Sequence, residues 1–404
     1  MRAVMYRPKF FGIAFLLAVV STTGIFGADK PNSPTASWPS FRGTPDLQGV
    51  AAVDKPLEKP KLLWKVSLSD GVESTAAIVS DRVVVATLAG HVIALDVEKG
   101  DEIWRQQVED GGFTASPLVR DGVIYIGDDV GTFHTFGASD GKPGWKYQTD
   151  SEIRSSANLH GDAILFAAYD HHLHCLNAGD GSLQWKIPTE GPVHSTPAIA
   201  DGKTFVVGCD NHFRVVDIKL GKELGGKNIG SYTAGSPAVS GGRAFFGTSA
   251  GRVLAFDWRK ANEVWSYESK RGSEFRGSCA VVPGRVVITG RDRTVHCLEM
   301  DTGKKLWTFV TRRQMDSSPV IVGRRVFVSG NDGHLYMLDL DSTDAAGREL
   351  WKFTTGARVL ASPAVANGRM VIADDDGNVY CFALSESVVS SSGQKAEPPE
   401  RKKS

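Results

Sequence analysis

The segment YDHHLHC, residues 169–175, offers three histidines and a cysteine, which are side chains that bind zinc. A structural zinc site needs four such ligands converging in a tetrahedron. His174, however, occupies the same slot of an internal repeat as His134 and His296, and later repeats place tyrosine there. Rings on separate repeat units cannot converge on one ion. We therefore predict a half-buried aromatic filler in this slot and no metal site.

Serine is the next candidate for chemistry, because a serine beside a base can act as a nucleophile. Serines recur in a small-Ser-Pro signal along the whole chain, and no Gly-x-Ser-x-Gly turn is present. One structural role would explain every copy of the signal. We therefore predict no catalytic serine.

The five cysteines include no close pair. Cys175, Cys297 and Cys381 share one slot of the repeat, which small or apolar residues fill elsewhere. We interpret these three as buried free thiols, too far apart to form a disulfide.

The elements that position these residues belong to a repeat of about forty residues, which is the first feature to establish in such a chain. Each unit contains a β-branched or aromatic run, a Gly/Asp/Asn turn, a second alternating run and an Asp/Gly loop, which predicts four short strands. Each unit begins with a form of the small-Ser-Pro signal, such as TASP at 114–117 or the variant STAA at 74–77. The eight starts lie at residues 74–77, 114–117, 154–157, 194–197, 234–237, 276–279, 316–319 and 360–363.

A tryptophan near the end of each unit completes the pattern of a propeller blade. The eighth unit lacks its own tryptophan strand, whereas Trp64 stands one repeat length before Trp104. We therefore predict an all-β fold, an eight-bladed β-propeller of four-stranded antiparallel blades, closed by an N-terminal strand so that no sheet edge is left inside the ring. The predicted docking tryptophans are Trp64, Trp104, Trp145, Trp185, Trp265, Trp307 and Trp351.

The repeat resembles that of the pyrroloquinoline-quinone (PQQ) type propeller family, whose blades carry an Ala-x-Asp-x-x-x-Gly-x-x-x-Trp pattern. Ala94, Asp96, Gly100 and Trp104 fit this pattern in full. The resemblance covers residues 62 to about 385 and implies that the indoles wedge between adjacent blades. Two departures are Gly225 in a tryptophan's place and a four-residue insertion between Asp339 and Gly347.

The resemblance leaves two functional branches open. Quinoprotein dehydrogenases of the family use PQQ and calcium, with a vicinal Cys-Cys disulfide, a tryptophan under the quinone and a carboxylate-rich calcium shell. This sequence has no Cys-Cys dipeptide, and its repeat tryptophans are assigned to blade packing. The short Gly-Asp turns are more typical of local hydrogen bonding than of calcium ligation. We therefore expect no cofactor and no catalytic residue, with PQQ and calcium as the disfavoured alternative.

The non-catalytic branch includes BamB, a scaffold of outer-membrane protein assembly. We predict an exported, non-catalytic scaffold of this kind that binds a protein or peptide partner. The alternatives are a PQQ- and calcium-dependent dehydrogenase and a small-ligand or carbohydrate-related binding module.

The candidate binding residues stand at the first position of each small-Ser-Pro signal, at the predicted mouth of the central channel. Arg154, His194 and Arg276 would hold a carboxylate or an acidic peptide there, with Thr114 and Asp316 beside them. The alternative is that they pair with Asp316, nearby carbonyls or water. The full predicted ring is Ser74, Thr114, Arg154, His194, Ala234, Arg276, Asp316 and Leu360.

The ends of the chain lie outside the repeat. Residues 1–27 have the basic, apolar and small-residue regions of a signal peptide, which predicts a periplasmic or secreted protein without a membrane span after cleavage. An uncleaved anchor is the alternative. Residues 28–61 form a leader that contains WPSFRG, residues 38–43. We expect this segment to be a strap that docks Trp38 and Phe41 against one face of the propeller. The alternative is that the segment is a partner-binding epitope. Residues 386–404 are predicted to be a disordered tail.

The charge balance excludes one class of partner. Lys and Arg number 46, and so do Asp and Glu. Without a basic excess, no long-range field favours nucleic acid. We expect a monomer.

Overall fold

The computed structural model describes residues 35–269 and 272–392. These residues form eight antiparallel sheets arranged as the blades of a propeller. The innermost strands of neighbouring blades contact one another, and the innermost strand of the eighth blade contacts that of the first. The predicted fold is confirmed.

The first four blades each contain four strands in chain order. They are blade 1, with β3 (Ala77–Val79), β4 (Arg82–Ala86), β5 (His91–Asp96) and β6 (Glu102–Gln107); blade 2, with β7 (Leu118–Arg120), β8 (Val123–Gly127), β9 (Thr132–Gly137) and β10 (Pro143–Gln148); blade 3, with β11 (Asn158–His160), β12 (Ala163–Ala168), β13 (His172–Asn177) and β14 (Leu183–Pro188); and blade 4, with β15 (Ala198–Ala200), β16 (Lys203–Val207), β17 (His212–Asp217) and β18 (Lys222–Asn228).

The last four blades include two strands from the N-terminal segment, β1 and β2. They are blade 5, with β19 (Ala238–Ser240), β20 (Arg243–Gly247), β21 (Arg252–Asp257) and β22 (Asn262–Glu268); blade 6, with β23 (Ala280–Val282), β24 (Arg285–Gly290), β25 (Thr294–Glu299) and β26 (Lys305–Val310); blade 7, with β1 (Val50–Ala51), β27 (Val320–Val322), β28 (Arg325–Ser329), β29 (His334–Asp339) and β30 (Glu349–Thr354); and blade 8, with β31 (Ala364–Ala366), β32 (Arg369–Ala373), β33 (Asn378–Ser385) and β2 (Pro56–Ser67).

The ring closes where β2 pairs antiparallel with β33. Trp64 lies opposite Cys381, in the register that Trp104 has with Ala94 in blade 1. The strand begins at Pro56, six residues before the predicted boundary at 62, because Pro56 also pairs with Ser385. The prediction of an N-terminal closing strand is confirmed.

The burial of the strands follows their place in a blade. All six residues of β12 are buried, because neighbouring blades cover both faces of the middle strands. In the outer strand β14 only alternate residues are partly covered. A middle strand therefore reads as a continuous apolar run, whereas an outer strand alternates.

Each docking tryptophan fixes its blade to the next one. The Trp307 side chain is 1% exposed, and its Nε1–H donates to the carbonyl of Leu340 at 3.0 Å. Trp145 lies against Gly181, where a Cβ would stand only 2.4 Å from the ring, and this glycine has a φ of 73°. The same indole donation to the neighbouring blade is made by Trp64, Trp104, Trp145, Trp185 and Trp265.

The two departures from the repeat are accommodated locally. Trp258, from the following blade, packs on Phe205 at 5.2 Å between ring centroids and against the cluster beside Gly225. The longer loop before Gly347 keeps that glycine next to the Trp307 ring. Both blades therefore keep an aromatic contact with their neighbour.

The histidine slot holds buried hydrogen-bonded rings. His174 Nε2 lies 3.0 Å from a carboxylate oxygen of Asp170, and His296 Nε2 lies 3.1 Å from Asp292. Burial alone would raise the pKa of Asp170, but the hydrogen bond and charge of His174, together with His172, leave that pKa lowered. The sequence predicted the aromatic filler but missed its carboxylate partner.

The described cysteines carry free thiols, and Cys175, Cys297 and Cys381 are buried as predicted. Burial raises the pKa of Cys175 to about 12, so this thiol is held in its protonated form.

The leader forms a strap, residues 35–52, across one end of the channel. It bonds to the innermost strand, or the turn next to it, in all eight blades. The contacts are Trp38 with Ile78, Pro39 with Val119, Pro45 with Asn158 and Ile199, Asp46 with Val239, Gln48 with Val281, Gly49 with Ile321 and Thr35 with Asn367. Trp38 is buried, in agreement with the strap interpretation, while the epitope alternative for residues 38–43 stays a prediction.

The Arg42 side chain fixes the strap to the blades. Its guanidinium group is fully buried and donates to the carbonyls of Pro319 at 2.6 Å and Cys279 at 2.8 Å. Burial lowers the pKa of Arg42 to about 9, which still leaves it charged at neutral pH. The strap is therefore tied to blades 6 and 7 by a charged donor and not only by its backbone.

Two predictions concern the ends of the chain. A helix, α1 (Glu386–Ser392), follows β33, so the predicted disorder is wrong for these residues. Residues 393–404 and the predicted signal peptide lie outside the described part of the chain. No helix within the described ranges combines the length and apolar character that crossing a membrane requires.

We expect Trp307→Ala to lower the free energy of unfolding by about 3–5 kcal/mol, because it leaves a cavity between blades and removes an indole hydrogen bond. Urea denaturation monitored by circular dichroism measures the loss. Leu183→Ala, at an exposed outer-strand position, is the control. A loss below about 1 kcal/mol for Trp307→Ala would contradict the proposed wedge.

Arg42→Ala should cost about 2–4 kcal/mol, since two buried carbonyls lose their donor. The same urea titration reports it. Arg120→Ala removes an exposed guanidinium group and should change stability by less than about 0.5 kcal/mol. Equal effects for the two variants would show that the strap does not depend on the buried arginine.

Candidate functional site

The channel between the innermost strands is a blind cavity. Its upper part has a volume of about 490 Å³ and opens on the face opposite the strap. A lower part of about 130 Å³ continues inward, and Phe41 of the strap lies in its wall. A ligand can therefore enter from one face only.

The five predicted binding residues come together in this cavity. Thr114, Arg154, His194, Arg276 and Asp316 all line its upper part, each four residues before an innermost strand. Ala234 and Leu360 line it at the equivalent positions of blades 5 and 8. Their placement is as expected, while binding at these residues stays a prediction.

Blade 1 departs from the predicted ring by one residue. Glu73 lines the cavity in place of Ser74. The Ser74 hydroxyl instead donates to the carbonyl of Ala86, within its own blade. The segment STAA lacks the proline that marks most other starts, so the repeat alignment had no fixed point there.

Below this ring lies a second ring of hydroxyl groups that holds neighbouring blades together. The backbone N–H of Thr75 donates to Ser116 Oγ of the next blade at 3.0 Å. Because each oxygen accepts, its own proton remains available to the lower cavity. The same bond links Ser116 to Ser156, Ser156 to Thr196, Thr196 to Ser236, Ser236 to Ser278, Ser278 to Ser318 and Ser318 to Ser362. The predicted structural role of these serines is confirmed.

One wall of the upper cavity is basic. Arg154 Nε donates to Glu152 at 2.8 Å, and Arg276 Nε donates to Glu274 at 2.8 Å, so both side chains are held by rim carboxylates. His194 lies at the equivalent position of blade 4, between blades 3 and 6. Burial, together with the charges of both arginines, lowers the pKa of His194 to about 4, so its ring is neutral at neutral pH.

The opposite wall, called here the acidic wall, contains both carboxylates that line the upper cavity, Glu73 and Asp316, together with Arg291 and Arg358. Asp316 accepts from Arg291 Nε at 2.7 Å, and Arg358 pairs with Asp375 at 2.6 Å. Burial and the charge of Asp375 raise the pKa of Glu73, although Arg358 and Arg154 act in the other direction. The cavity is therefore polarised across its width.

Sequence reasoning missed a further set of lining residues from the turns that follow the second strand of each blade. Tyr169, Cys209 and Arg291 hold this position in blades 3, 4 and 6 and line the cavity. The backbone N–H of each donates to the residue two places before the ring position of the same blade, as Tyr169 does to Glu152. The repeat itself carries this signal, since the turn position recurs in every unit.

The described residues around the cavity differ from the calcium and quinone site that the family's dehydrogenases carry. Within residues 35–269 and 272–392, no group of three or more His, Cys, Asp or Glu side chains is placed to hold a metal ion. The residues lining the two parts of the cavity include no tryptophan to lie under a quinone ring.

Comparison with known proteins finds similar proteins in both functional branches, the assembly factors and the quinoprotein dehydrogenases. The Outer membrane protein assembly factor BamB of Shigella dysenteriae is 24% identical over 314 residues, which cover 70% of this chain and 79% of that protein. The crystal structure of BamB from Moraxella catarrhalis superposes with a TM-score of 0.70 at 19% identity, covering 81% of this chain and 98% of that one.

A quinohemoprotein alcohol dehydrogenase from Comamonas testosteroni has the same fold, with a TM-score of 0.73 at 14% identity, covering 91% of this chain and 82% of that one. Likeness at this level of identity shows the fold alone. The family model described as Outer membrane protein assembly factor BamB matches residues 48–166, 151–276 and 262–346, about three quarters of the chain. The chain belongs to this family.

Proposed function

We propose that this protein is a non-catalytic scaffold of the cell envelope that binds a protein partner on the open face of the propeller. The curated relatives that align with about 70% of the chain are outer membrane protein assembly factors by name, which supports a partner from that machinery. The predicted signal peptide, residues 1–27, supports the periplasm as the compartment.

The observation that carries this proposal is the strap. It occupies one end of the channel across all eight blades, so the opposite face is the one left for a partner. That face carries apolar side chains on its loops: Leu88 is 41% exposed, Val130 48% and Tyr232 40%. Exposed apolar and aromatic residues with arginines beside them are typical of binding hot spots.

The cavity mouth adds fixed charges to this surface. Arg154 and Arg276 are each 42% exposed while their Nε atoms stay bonded to Glu152 and Glu274. A side chain already held in place loses little conformational entropy on binding. Thr114, His194 and Asp316 belong to the same proposed surface, deeper in the mouth.

We expect a photo-crosslinking amino acid at position 232 to trap a protein of the outer-membrane assembly machinery in intact cells. Leu88→Asp combined with Val130→Asp should reduce that crosslink about tenfold, since two apolar contacts would be replaced by hydrated charges. Immunoblotting and mass spectrometry of the crosslinked species measure both results.

Leu220→Asp is the matched control, because Leu220 is also an exposed leucine but lies in a loop on the strap side. It should leave the crosslink unchanged. Equal loss in the control, or a crosslink from position 220 and none from position 232, would move the partner to another surface.

The non-catalytic part of the proposal has its own test. Purified protein mixed with PQQ and Ca²⁺ and then desalted should retain no quinone absorbance, because the cavity lacks a suitable ligand set. Alcohols and sugars should cause no dye reduction. A quinoprotein dehydrogenase treated in parallel is the control, and retained absorbance with dye reduction would replace the scaffold proposal by a dehydrogenase.

A further inference from the structure

Several polar groups in the upper cavity have no partner in the protein. The Glu73 carboxylate makes no hydrogen bond or ion pair within the described ranges, although it lines the cavity. Thr114 Oγ1 is buried and also lacks a partner there. A buried polar atom without a partner is costly, which points to water or a ligand as the missing group.

His194 adds a donor to this set. Tyr169 Oη lies 3.3 Å from His194 Nδ1. Because the imidazole is neutral at neutral pH, Nδ1 can accept from the tyrosine, and Nε2 then carries the proton. No hydrogen bond to Nε2 occurs within the described residues. The ring therefore offers one N–H to whatever occupies the cavity.

The two arginines of the basic wall keep part of their donors free. Each uses Nε for its rim glutamate, and the Arg154 guanidinium group also lies 5.2 Å from the centroid of the Tyr169 ring. Donors on the terminal nitrogens of both arginines that these contacts do not use remain for a ligand carboxylate. Planar guanidinium groups suit carboxylates because they donate two parallel hydrogen bonds.

The walls of opposite charge lie on different sides of the ring. Arg154, His194 and Arg276 precede the innermost strands of blades 3, 4 and 6, whereas Glu73 and Asp316 precede those of blades 1 and 7. In a ring of eight blades, blade 3 faces blade 7. A ligand carboxylate at the basic wall would thus have its other end directed to the acidic wall.

The overall charge of the cavity favours a ligand that carries no net charge. Four arginines lie in the wall, against two lining carboxylates, and three more carboxylates pair with these arginines from the rim. Four positive and five negative groups leave no excess that would hold a net anion. A molecule that carries one positive and one negative group can place each group against the wall of opposite charge.

We infer that the cavity binds a small free zwitterion, with its carboxylate held by Arg154, His194 and Arg276 and its ammonium group held by Glu73. The volume of about 490 Å³ lies within the range of small-molecule sites. This site shares Arg154, His194 and Arg276 with the proposed partner surface, but it does not include the apolar loops of that surface.

The experiment uses the purified protein and a series of ω-amino acids from glycine to 6-aminohexanoate, titrated by isothermal calorimetry. For each chain length, the alkyl carboxylate and the alkyl amine serve as matched compounds. One length should bind at least about tenfold tighter than its two matched compounds, because it alone makes both charge-assisted contacts. Equal binding of zwitterion and carboxylate, or no binding by any compound, would overturn the inference.

Variants assign the two ends of the ligand. Glu73→Gln should bring the affinity of the best zwitterion down to that of its matched carboxylate, while leaving the carboxylate unaffected. Arg276→Gln should weaken zwitterion and carboxylate together. Arg120→Gln, an exposed arginine outside the cavity, is the control and should change neither. If Glu73→Gln left the preference for the zwitterion intact, the ammonium site would be wrong.

The outcome is independent of the partner experiment. Loss of the crosslink through Leu88 and Val130 tests the loops, whereas calorimetry tests the cavity wall. Crosslinking without zwitterion binding would support the scaffold proposal and contradict the proposed ligand site.

Discussion

The pairing of β2 with β33 is the interaction on which the rest of the structure depends. A repeat blade cannot cover its own two faces, so each sheet needs a neighbour on both sides. Eight sheets satisfy that requirement only when the last contacts the first, and the N-terminal strand ensures this by completing the last blade. The tryptophan wedges, the hydroxyl ring and the strap all presuppose a closed ring.

Much of the fold could be predicted because the same physical problem is solved in every blade. The eight starts of the small-Ser-Pro signal indicate the number of blades, and Trp64 without its own unit indicates the closure. Boundaries were less certain where the chain leaves the repeat. Nothing in the period predicts that β2 extends back to Pro56 or that residues 386–392 form a helix against the last blade.

The candidate site was predicted in part, for a similar reason. One residue per blade at the start of the innermost strand must face the channel, so Arg154, His194 and Arg276 could be named from alternation alone. Their partners could not, because Glu152, Glu274 and Tyr169 approach from turns whose direction depends on the packed blade. The Glu73 position was missed by one residue where the signal lacks proline.

The strap also has a consequence for the order in which the molecule assembles. Its residues are synthesised before any blade, yet their partners extend to Asn367, and the closing strand pairs with residues up to Ser385. Contacts across such sequence separations form late, because the chain between them must first lose its freedom. A segment that is synthesised before the blades is therefore seated after them. A docked strap therefore occurs only in a molecule in which every blade has already formed, so its docking indicates that folding is complete.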